Sequence, residues 1–202
     1  SELFKILKLK NFFEIINNKE LLEIFILVFP EFQNIQRLKN YNLINNYIEN
    51  SEILLLSILL INLKNNHEYF SHKYKLSNKI YDNLYLLGNK YKEVKTNKEF
   101  FKKNLKFELY KIGLKNLKIL FCLYLLDRNK ITSKDINFFQ IIEKISVPKF
   151  PYDGKFLLKK GIQEGKKVGT ILKEAEQTWI QNNFNLSSED LEKIIKKNTI
   201  SI

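Results

Sequence analysis

Hydrophobic and polar positions along the chain repeat with the period of an α-helix almost throughout. In the segment "KELLEIFILVF", Leu22, Phe25 and Phe29 recur at spacings of three and four, which places them on one face of a helix. Pro30 ends this helix, because proline cannot continue the backbone hydrogen-bond ladder. The preceding segment, "LFKILKLKNFFEIINN", has the same periodicity. Two helices are therefore predicted to open the chain.

Further segments carry apolar residues at helical spacing, and none shows the alternation typical of a strand. Gly113 is placed as the left-handed stop of one helix, and Ser187 or Ser188 as the N-cap of another, followed by acidic residues that the helix dipole favours. The pattern predicts an all-α fold. The segments cover residues 53–63, 77–87, 98–112, 114–126, 133–145, 165–181 and 187–197.

The composition excludes a disordered tail and a disulfide framework. With 45% hydrophobic and 13% aromatic residues, the 202-residue chain can bury one large or two small cores. The single cysteine, Cys122, lies in the apolar run "LFCLYLL", which predicts a buried structural thiol and a reducing cytoplasm. The longest apolar stretch, residues 53–63, falls short of the roughly 20 residues that a bilayer crossing needs. No membrane partner is expected, and this stretch is predicted to be a buried core helix.

The charge is strongly positive and unevenly distributed. Lysine and arginine number 34 against 22 acidic residues, a net charge of +12. Residues 64–118 hold 14 basic and 5 acidic residues, a net charge of +9, whereas residues 1–63 have a net charge of −1. An AT-rich genome also enriches lysine, but such a bias acts on all segments alike. The clustering favours an anionic partner, nucleic acid first and an acidic membrane surface second.

The segment "NKEFFKKNLKFELYKIG", residues 97–113, is predicted to be an amphipathic helix with one basic face. Lys98, Lys102 and Lys106 are four residues apart, and Lys103 joins them, while the apolar residues recur on another face. Lysines on one exposed face can neutralise successive phosphates, which gives affinity and salt dependence but no sequence choice. A solvated lysine face is the alternative.

Residues 147–180 gather two of the three prolines and four of the six glycines. The order predicts an extended segment, a short helix that ends at Gly161, a corner, and a second helix that begins near Gly165 with two lysines in its first turn. Cations at a helix N-terminus are disfavoured by ~0.3–1 kcal/mol each, which an anion would relieve. A phosphate cradle and an ordinary corner with solvated lysines are both compatible with this pattern. The cradle would comprise Lys155, Gly165, Lys166, Lys167 and Gly169.

Catalytic and metal-binding constellations are not found in the sequence. His67 and His72 are five residues apart, so they would not share a helix face, and both are predicted to lie at the surface. No carboxylate or cysteine pattern completes a metal site around them. Glycine-rich phosphate loops, a nucleophile elbow and an Asp-x-Asp pair are also missing. No catalytic residue, metal ligand or cofactor is therefore assigned to this chain.

The glycine-rich corner also carries a longer motif. It has the form Pro-x5-Gly-Lys-x-Leu, a further glycine, and then Gly-x3-Gly-x2-Leu-x3-Glu-x2-Trp. Its residues are Pro148, Gly154, Lys155, Leu157, Gly161, Gly165, Gly169, Leu172, Glu176 and Trp179. This motif resembles the C-terminal region of bacterial class II CCA-adding tRNA nucleotidyltransferases and the related poly(A) polymerases. Upstream, "KLSNK" (75–79) and "ELYKIG" (108–113) are similar to motifs of the alphaproteobacterial branch, and the opening segment is similar to the family's neck helices.

The resemblance implies a division of labour within a larger enzyme. Family members have an α/β head, which holds two metal-binding carboxylates and the nucleotide-selecting residues, and a helical neck, body and tail that grip tRNA. Residues 1–50 would be part of the neck, residues 51–148 the body and residues 149–202 the tail. The head signatures are missing, so this chain alone is expected to be inactive, and magnesium and nucleotide would bind the head. Phe156 stands where the family usually has aspartate after Gly-Lys.

The sequence thus predicts an all-α, curved array of about eight or nine helices without the α/β head. The expected partner is tRNA or another structured RNA, gripped through its phosphate backbone, and a separately encoded head is a further candidate partner. A lysine-rich helical protein-interaction module is the alternative, and peripheral attachment to anionic lipid is a third. The expected RNA contacts are Lys98, Lys102, Lys103, Lys106 and Lys111 in the body, and Lys155, Gly165, Lys166, Lys167 and Gly169 in the tail.

Overall fold

A computed structural model describes residues 2–9, 12–103 and 105–200, apart from the side chain of Ile200. These residues form helices and connecting turns without strands, so the all-α prediction is confirmed. Three short 3-10 helices cover Phe12–Asn17, Ile35–Arg37 and Asn45–Tyr47. The α-helices are α1 (Glu2–Leu7), α2 (Lys19–Val28), α3 (Leu38–Tyr41), α4 (Glu52–Leu60), α5 (Asn66–Lys73), α6 (Asn78–Thr96), α7 (Leu105–Leu126), α8 (Ser133–Lys144), α9 (Gly154–Lys159), α10 (Lys166–Gln181) and α11 (Ser188–Ile200).

The chain divides into two compact units, unit 1 (residues 1–145) and unit 2 (residues 146–202). Helix α4 is the centre of unit 1, because every residue from Leu54 to Ile61 is buried. A helix that is apolar on all sides has no solvent face and must be surrounded by other elements. Helices α1, α5, α6 and α7 pack around it. This confirms the predicted core helix. No helix among the described residues is long and apolar enough to cross a membrane.

Unit 2 is built from α9, α10 and α11, which share a smaller apolar core. Helix α11 begins where the sequence predicts, since the Ser187 hydroxyl accepts a hydrogen bond from the Asp190 amide at 3.1 Å. Helix α9 ends at Lys159, two residues before Gly161, whose φ of 83° is readily adopted by glycine. The buried residues of this core are Leu157, Ile171, Ala175, Leu191 and Ile194. The assignment of residues to neck, body and tail stays a prediction.

The prediction of one helix over residues 98–112 is wrong. Helix α6 continues to Thr96, beyond its predicted end, and residues 98–103 form turns that lead into α7. The amides of Lys102 and Lys103 both bond to the carbonyl oxygen of Glu99, each at 2.9 Å, which winds the chain into a tight connection. The lysine stripe therefore does not lie on one helix. The predicted stop at Gly113 is confirmed, since its φ of 77° and ψ of 161° interrupt the helical geometry of α7.

Candidate nucleic-acid interface

The turn segment of residues 98–103 exposes three lysines to solvent, and two phenylalanines pack it against the rest of unit 1. Phe100 is buried in the core of unit 1, and the ring of Phe101 lies 5.1 Å from an aromatic ring of α7. These contacts fix the backbone of the turn, because large aromatic side chains bury much of their surface there. Lys98, Lys102 and Lys103 are all exposed. A loop held in this way can present charges without the regular spacing of a helix.

Helix α7 adds two more exposed lysines from its first two turns. Lys106 and Lys111 are both exposed, and the ammonium of Lys111 lies 5.8 Å from the centre of the Phe107 ring. In the neighbouring turn, the Lys102 ammonium donates a hydrogen bond of 2.8 Å to Glu99, which raises the pKa of the lysine. Both partners of this pair are largely exposed, so the pair is weak and a phosphate could replace the carboxylate.

The folded structure uses part of the positive charge of residues 64–118 internally. Four lysines of this segment form ion pairs with carboxylates of unit 1, at distances of 2.5–3.0 Å. The pairs are Lys73–Glu31, Lys90–Glu108, Lys95–Asp127 and Lys118–Glu143. By contrast, Lys98, Lys103 and Lys106 form no direct ion pair with a carboxylate within the described ranges. The cations left for an external partner therefore include a group of lysines around the connection between α6 and α7.

The start of helix α9 lies beside the start of helix α10. An ideal β-carbon on Gly154 would lie 3.6 Å from Cγ1 of Val168, so the two helix starts are in van der Waals range. Lys155 is exposed at this corner. The Asp153 carboxylate caps α9 by accepting a hydrogen bond of 2.9 Å from the Phe156 amide. The N-terminal cap of α9 is thus supplied by Asp153, which precedes Gly154. It does not require a carboxylate at position 156, where this chain has phenylalanine.

Helix α10 begins without a side-chain cap. Its N-cap residue is Gly165, with φ 141° and ψ −162°, a conformation that residues with a β-carbon rarely adopt. Lys166 and Lys167 follow in the first turn, which has no acidic residue, and both are exposed. An ideal β-carbon on Gly169 would meet no atom within 4 Å, so the surface there is open. The predicted helix start at Gly165 is confirmed. The first turn of α10 therefore combines free backbone amides with two lysines.

The prediction that both histidines lie at the surface is wrong for His67. This residue is 1% exposed, and neither ring nitrogen has a hydrogen-bond partner in the described part of the chain. Burial lowers the pKa of His67, so the ring is neutral near pH 7. The ring fits because Gly88 of α6 has no side chain where it packs. His72 is exposed, as predicted.

The remaining titratable groups of the interior are structural. Burial raises the pKa of the Cys122 thiol, and this keeps it protonated and unreactive, in agreement with the sequence. Burial also opposes ionisation of Asp127, but Arg37, Lys95 and Tyr91 outweigh it and hold the pKa of that carboxyl below its usual value. No group of three or more metal-ligating side chains is found among the described residues.

Two surface features were not predicted from the sequence. The first, which we call the apolar groove, is lined by α1, residues 12–17 and α2 and encloses about 610 Å³. The nearly continuous apolar run of α2, with Leu27 82% exposed, was the available signal. The second is a pair of nearly parallel tyrosine rings on α6, the half-buried Tyr81 and the exposed Tyr85. Aromatic residues spaced four apart on a polar helix were its signal.

These features define an all-α protein of two compact helical units, each with exposed, clustered lysines. A stretch of 50 residues, 25% of the chain, is 36% identical to CCA tRNA nucleotidyltransferase 1, mitochondrial, of Danio rerio. The corresponding proteins of Mus musculus and Homo sapiens are 32% and 30% identical over 56 residues. The matched stretches cover 12–13% of these relatives. No protein-family model and no solved structure gives a significant match.

The comparisons support a relationship between part of this chain and CCA tRNA nucleotidyltransferases. They agree with the resemblance noted around the glycine-rich corner at the level of the enzyme family. The three relatives are vertebrate mitochondrial proteins, so they do not support the narrower assignment to the bacterial or alphaproteobacterial branch.

Proposed function

We propose that this chain is the tRNA-binding part of a CCA tRNA nucleotidyltransferase or a related poly(A) polymerase. In this proposal it grips the phosphate backbone of the acceptor and T arms, while a head domain outside this chain adds nucleotides to the 3′ end. Residues 1–50, 51–148 and 149–202 would serve as neck, body and tail. The observation that carries the proposal is the concentration of positive charge in residues 64–118, together with the similarity to CCA tRNA nucleotidyltransferases.

The arrangement of the lysines supports backbone contacts rather than base recognition. Lys98, Lys103 and Lys106 are exposed and form no direct ion pair within the described ranges, so contact with phosphates would not break an ion pair of the fold. Each lysine is a flexible point charge that can follow an irregular backbone. Such contacts release counterions from the RNA, and this produces affinity with a strong salt dependence.

The corner of unit 2 supports the same mode of binding. Lys155, Lys166 and Lys167 are exposed beside the uncapped start of α10. Phosphate is favoured at such a position, because the helix dipole and the free amides attract negative charge. The exposed Gly165 lets a backbone approach closely without meeting a side chain. In the proposal this corner holds a second stretch of the same RNA.

Replacing Lys102, Lys103 and Lys106 together by alanine is expected to weaken binding of a tRNA minihelix about tenfold or more at low salt. The plot of log affinity against log salt concentration should become shallower by roughly 0.9 for each phosphate contact that is lost. Fluorescence anisotropy at four or five salt concentrations measures both quantities.

The matched control removes the same charge from another part of unit 1. Lys130, Lys134 and Lys144 are exposed lysines that form no ion pair among the described residues. Their replacement by alanine is expected to change affinity much less. A minihelix affinity that does not depend on salt, or an equal loss in the control variant, would contradict the proposed phosphate grip.

A second candidate function is protein binding at the apolar groove. Ile6, Leu9, Leu21, Ile24 and Val28 line this groove and are exposed. Soluble proteins rarely leave a contiguous apolar patch open unless it contacts a partner. This favours the protein-interaction alternative for the N-terminal helices, with a separately encoded head as one candidate partner. Both functions can operate on one chain, since the lysines discussed above do not line the groove.

An Ile24→Arg variant tests this second candidate. Ile24 is largely exposed, so the substitution is expected to change the free energy of unfolding by less than about 0.5 kcal/mol. If the groove binds a protein, a partner that co-purifies with the native chain and is identified by mass spectrometry should be lost with Ile24→Arg. The partner should still co-purify with the variant in which Lys102, Lys103 and Lys106 are replaced by alanine. Retention by Ile24→Arg would exclude the groove as the binding surface.

A further inference from the structure

Three aromatic rings form a row at the surface between α5 and α6. The ring of His72 lies 5.4 Å from that of Tyr81, and the Tyr81 ring lies 6.0 Å from that of Tyr85, with the two tyrosine planes only 18° apart. Tyr85 is 45% exposed, His72 is exposed and Tyr81 is half-buried. The row thus ends in an aromatic face that is open to solvent.

A pocket of about 340 Å³ lies beside Tyr81 in this row. Its volume is at the lower end of the range for small-molecule pockets, roughly 300–1,000 Å³. The chain at its edge is held in a left-handed turn, because Lys75 has a φ of 48° and its amide bonds to the His72 carbonyl at 3.3 Å. The lining residues are Ser71, His72, Lys75, Leu76, Asn78 and Tyr81.

The hydroxyls of the two tyrosines are available for contacts outside the fold. Neither the Tyr81 nor the Tyr85 hydroxyl forms a hydrogen bond within the described ranges. Tyr91, on the same helix, shows the opposite behaviour, since it is buried and its hydroxyl donates to Asp127 at 2.6 Å. A tyrosine that only stabilises α6 would be expected to bury its ring and satisfy its hydroxyl, as Tyr91 does.

The chemistry around the pocket fits a nucleobase with an adjoining phosphate. Aromatic faces stack with any base, and the Asn78 amide offers both a donor and an acceptor for a base edge. Lys75 and Lys79 are exposed, and no carboxylate of the described residues pairs with them. Unpaired RNA bases are commonly recognised by such stacking, with phosphates held by neighbouring cations.

We propose that the pocket beside Tyr81, which we call the aromatic pocket, binds an unpaired base of RNA. This base stacks against Tyr81, and Tyr85 forms a stacking platform for the neighbouring base. The inference rests on the RNA binding proposed above and adds a second kind of contact to it. The lysines around residues 98–111 contact phosphates of any sequence, whereas the aromatic pocket selects a strand whose bases are free to leave the helix. RNA with a single-stranded segment would therefore bind through both surfaces.

The test uses a single-stranded RNA of six adenosines in which one is replaced by 2-aminopurine, whose fluorescence falls when it stacks. The full chain is expected to quench the probe. Tyr81→Leu and Tyr85→Leu are each expected to weaken binding at least about fivefold, which corresponds to the ~1 kcal/mol lower limit of base–aromatic stacking. Tyr81→Phe keeps the ring and should retain binding. Circular dichroism of each variant verifies that the helices remain.

Tyr69→Leu is the matched control, because Tyr69 is a 61% exposed tyrosine of α5 outside the aromatic row. An equal loss in Tyr69→Leu, or no quenching by the native chain, would overturn the aromatic pocket. Adenosine monophosphate is titrated in parallel, and an affinity as high as that of the RNA would reassign the pocket to free nucleotides.

A blunt minihelix without unpaired bases separates this inference from the proposed function. Its salt-dependent binding should be lowered by the lysine variant but not by Tyr81→Leu. If the minihelix binds and the six-residue RNA is not quenched, the aromatic pocket is wrong and the phosphate grip stands. If the tyrosines bind the single strand but the minihelix does not bind, the proposed tRNA grip is wrong.

Discussion

Replacing Arg37 by alanine is expected to lower the free energy of unfolding of unit 1 by about 3–5 kcal/mol, the usual cost of breaking a buried ion pair. The Arg37 side chain is 8% exposed, and its Nε donates to Oδ1 of Asp127 at 2.8 Å. The side chain of its partner, Asp127, is 16% exposed. Loss of the guanidinium leaves a largely buried carboxyl group with Lys95 as its remaining ion-pair partner. Urea denaturation of the full chain, followed by circular dichroism, measures the change.

The guanidinium also completes the hydrogen bonding at the end of α4. It donates to the carbonyl oxygens of Ile58 and Ile61 at 3.0 and 2.8 Å, and to the hydroxyl of Tyr91 at 2.9 Å. Carbonyls in the last turn of a helix have no partner within the helix, and here they are buried. The Ile61 carbonyl also accepts from the Asn34 side-chain amide at 3.2 Å, so the Ile58 carbonyl is the acceptor that loses its side-chain donor, at a cost of about 1–3 kcal/mol. Lysine cannot replace this fork of donors, so Arg37→Lys is expected to recover a minor part of the loss.

Lys102→Ala provides the comparison, since its ion pair with Glu99 lies at the surface and its loss should destabilise the protein far less than the loss of Arg37. The pH dependence gives an independent check. Because the native pKa of Asp127 lies below its unfolded value, its contribution is complete above the unfolded pKa and is lost as the pH falls through the native pKa. In Arg37→Ala, the free energy of unfolding should therefore fall less steeply as the pH is lowered through this range. If the free energy of unfolding of Arg37→Ala lies within about 1 kcal/mol of the native value, the Arg37–Asp127 pair does not stabilise unit 1.

Helical periodicity predicted most of the fold, and it did not predict elements that tertiary contacts create. Helix α5, "NHEYFSHK", has no apolar stripe, and it forms because Phe70 and His67 pack into the core of unit 1. The turn at residues 98–103 has helix-like spacing in the sequence. It is not helical, and its residues form the turns that connect α6 to α7, which pack against each other. Neither outcome can be read from a local pattern.

The sequence predicted that the candidate lysines are exposed, but it did not predict which carboxylates form ion pairs with other lysines. Lysine is rarely buried without a partner, so each predicted contact residue was expected at the surface and lies there. The pairing of Lys73 with Glu31, or of Lys95 with Asp127, joins segments more than 30 residues apart. Charge counting along the sequence therefore overstates what residues 64–118 can offer to RNA. This segment still includes the connection between α6 and α7, where Lys98, Lys103 and Lys106 are exposed and form no ion pair among the described residues.

Gly88→Ala is expected to destabilise unit 1 by about 1–3 kcal/mol, although alanine is the better helix former by ~1 kcal/mol. An added β-carbon would lie 2.1 Å from Nε2 and 2.3 Å from Cε1 of His67. The imidazole cannot move away, because it is 1% exposed and enclosed by α5 and α6. Gly169→Ala is the control for helix propensity, since its β-carbon would meet no atom within 4 Å, and it should be neutral or stabilising. Urea denaturation compares the two variants.

A double-mutant cycle shows whether the clash with His67 is the cause. His67→Ala alone removes a buried ring and lowers stability through the cavity that it leaves. In that background the space beside position 88 is empty, so Gly88→Ala should become neutral or stabilising by up to ~1 kcal/mol. The coupling energy between the two sites would then equal most of the cost of the single substitution. An equal cost of Gly88→Ala with and without the imidazole would show that the backbone of α6, rather than the histidine, requires glycine at this position.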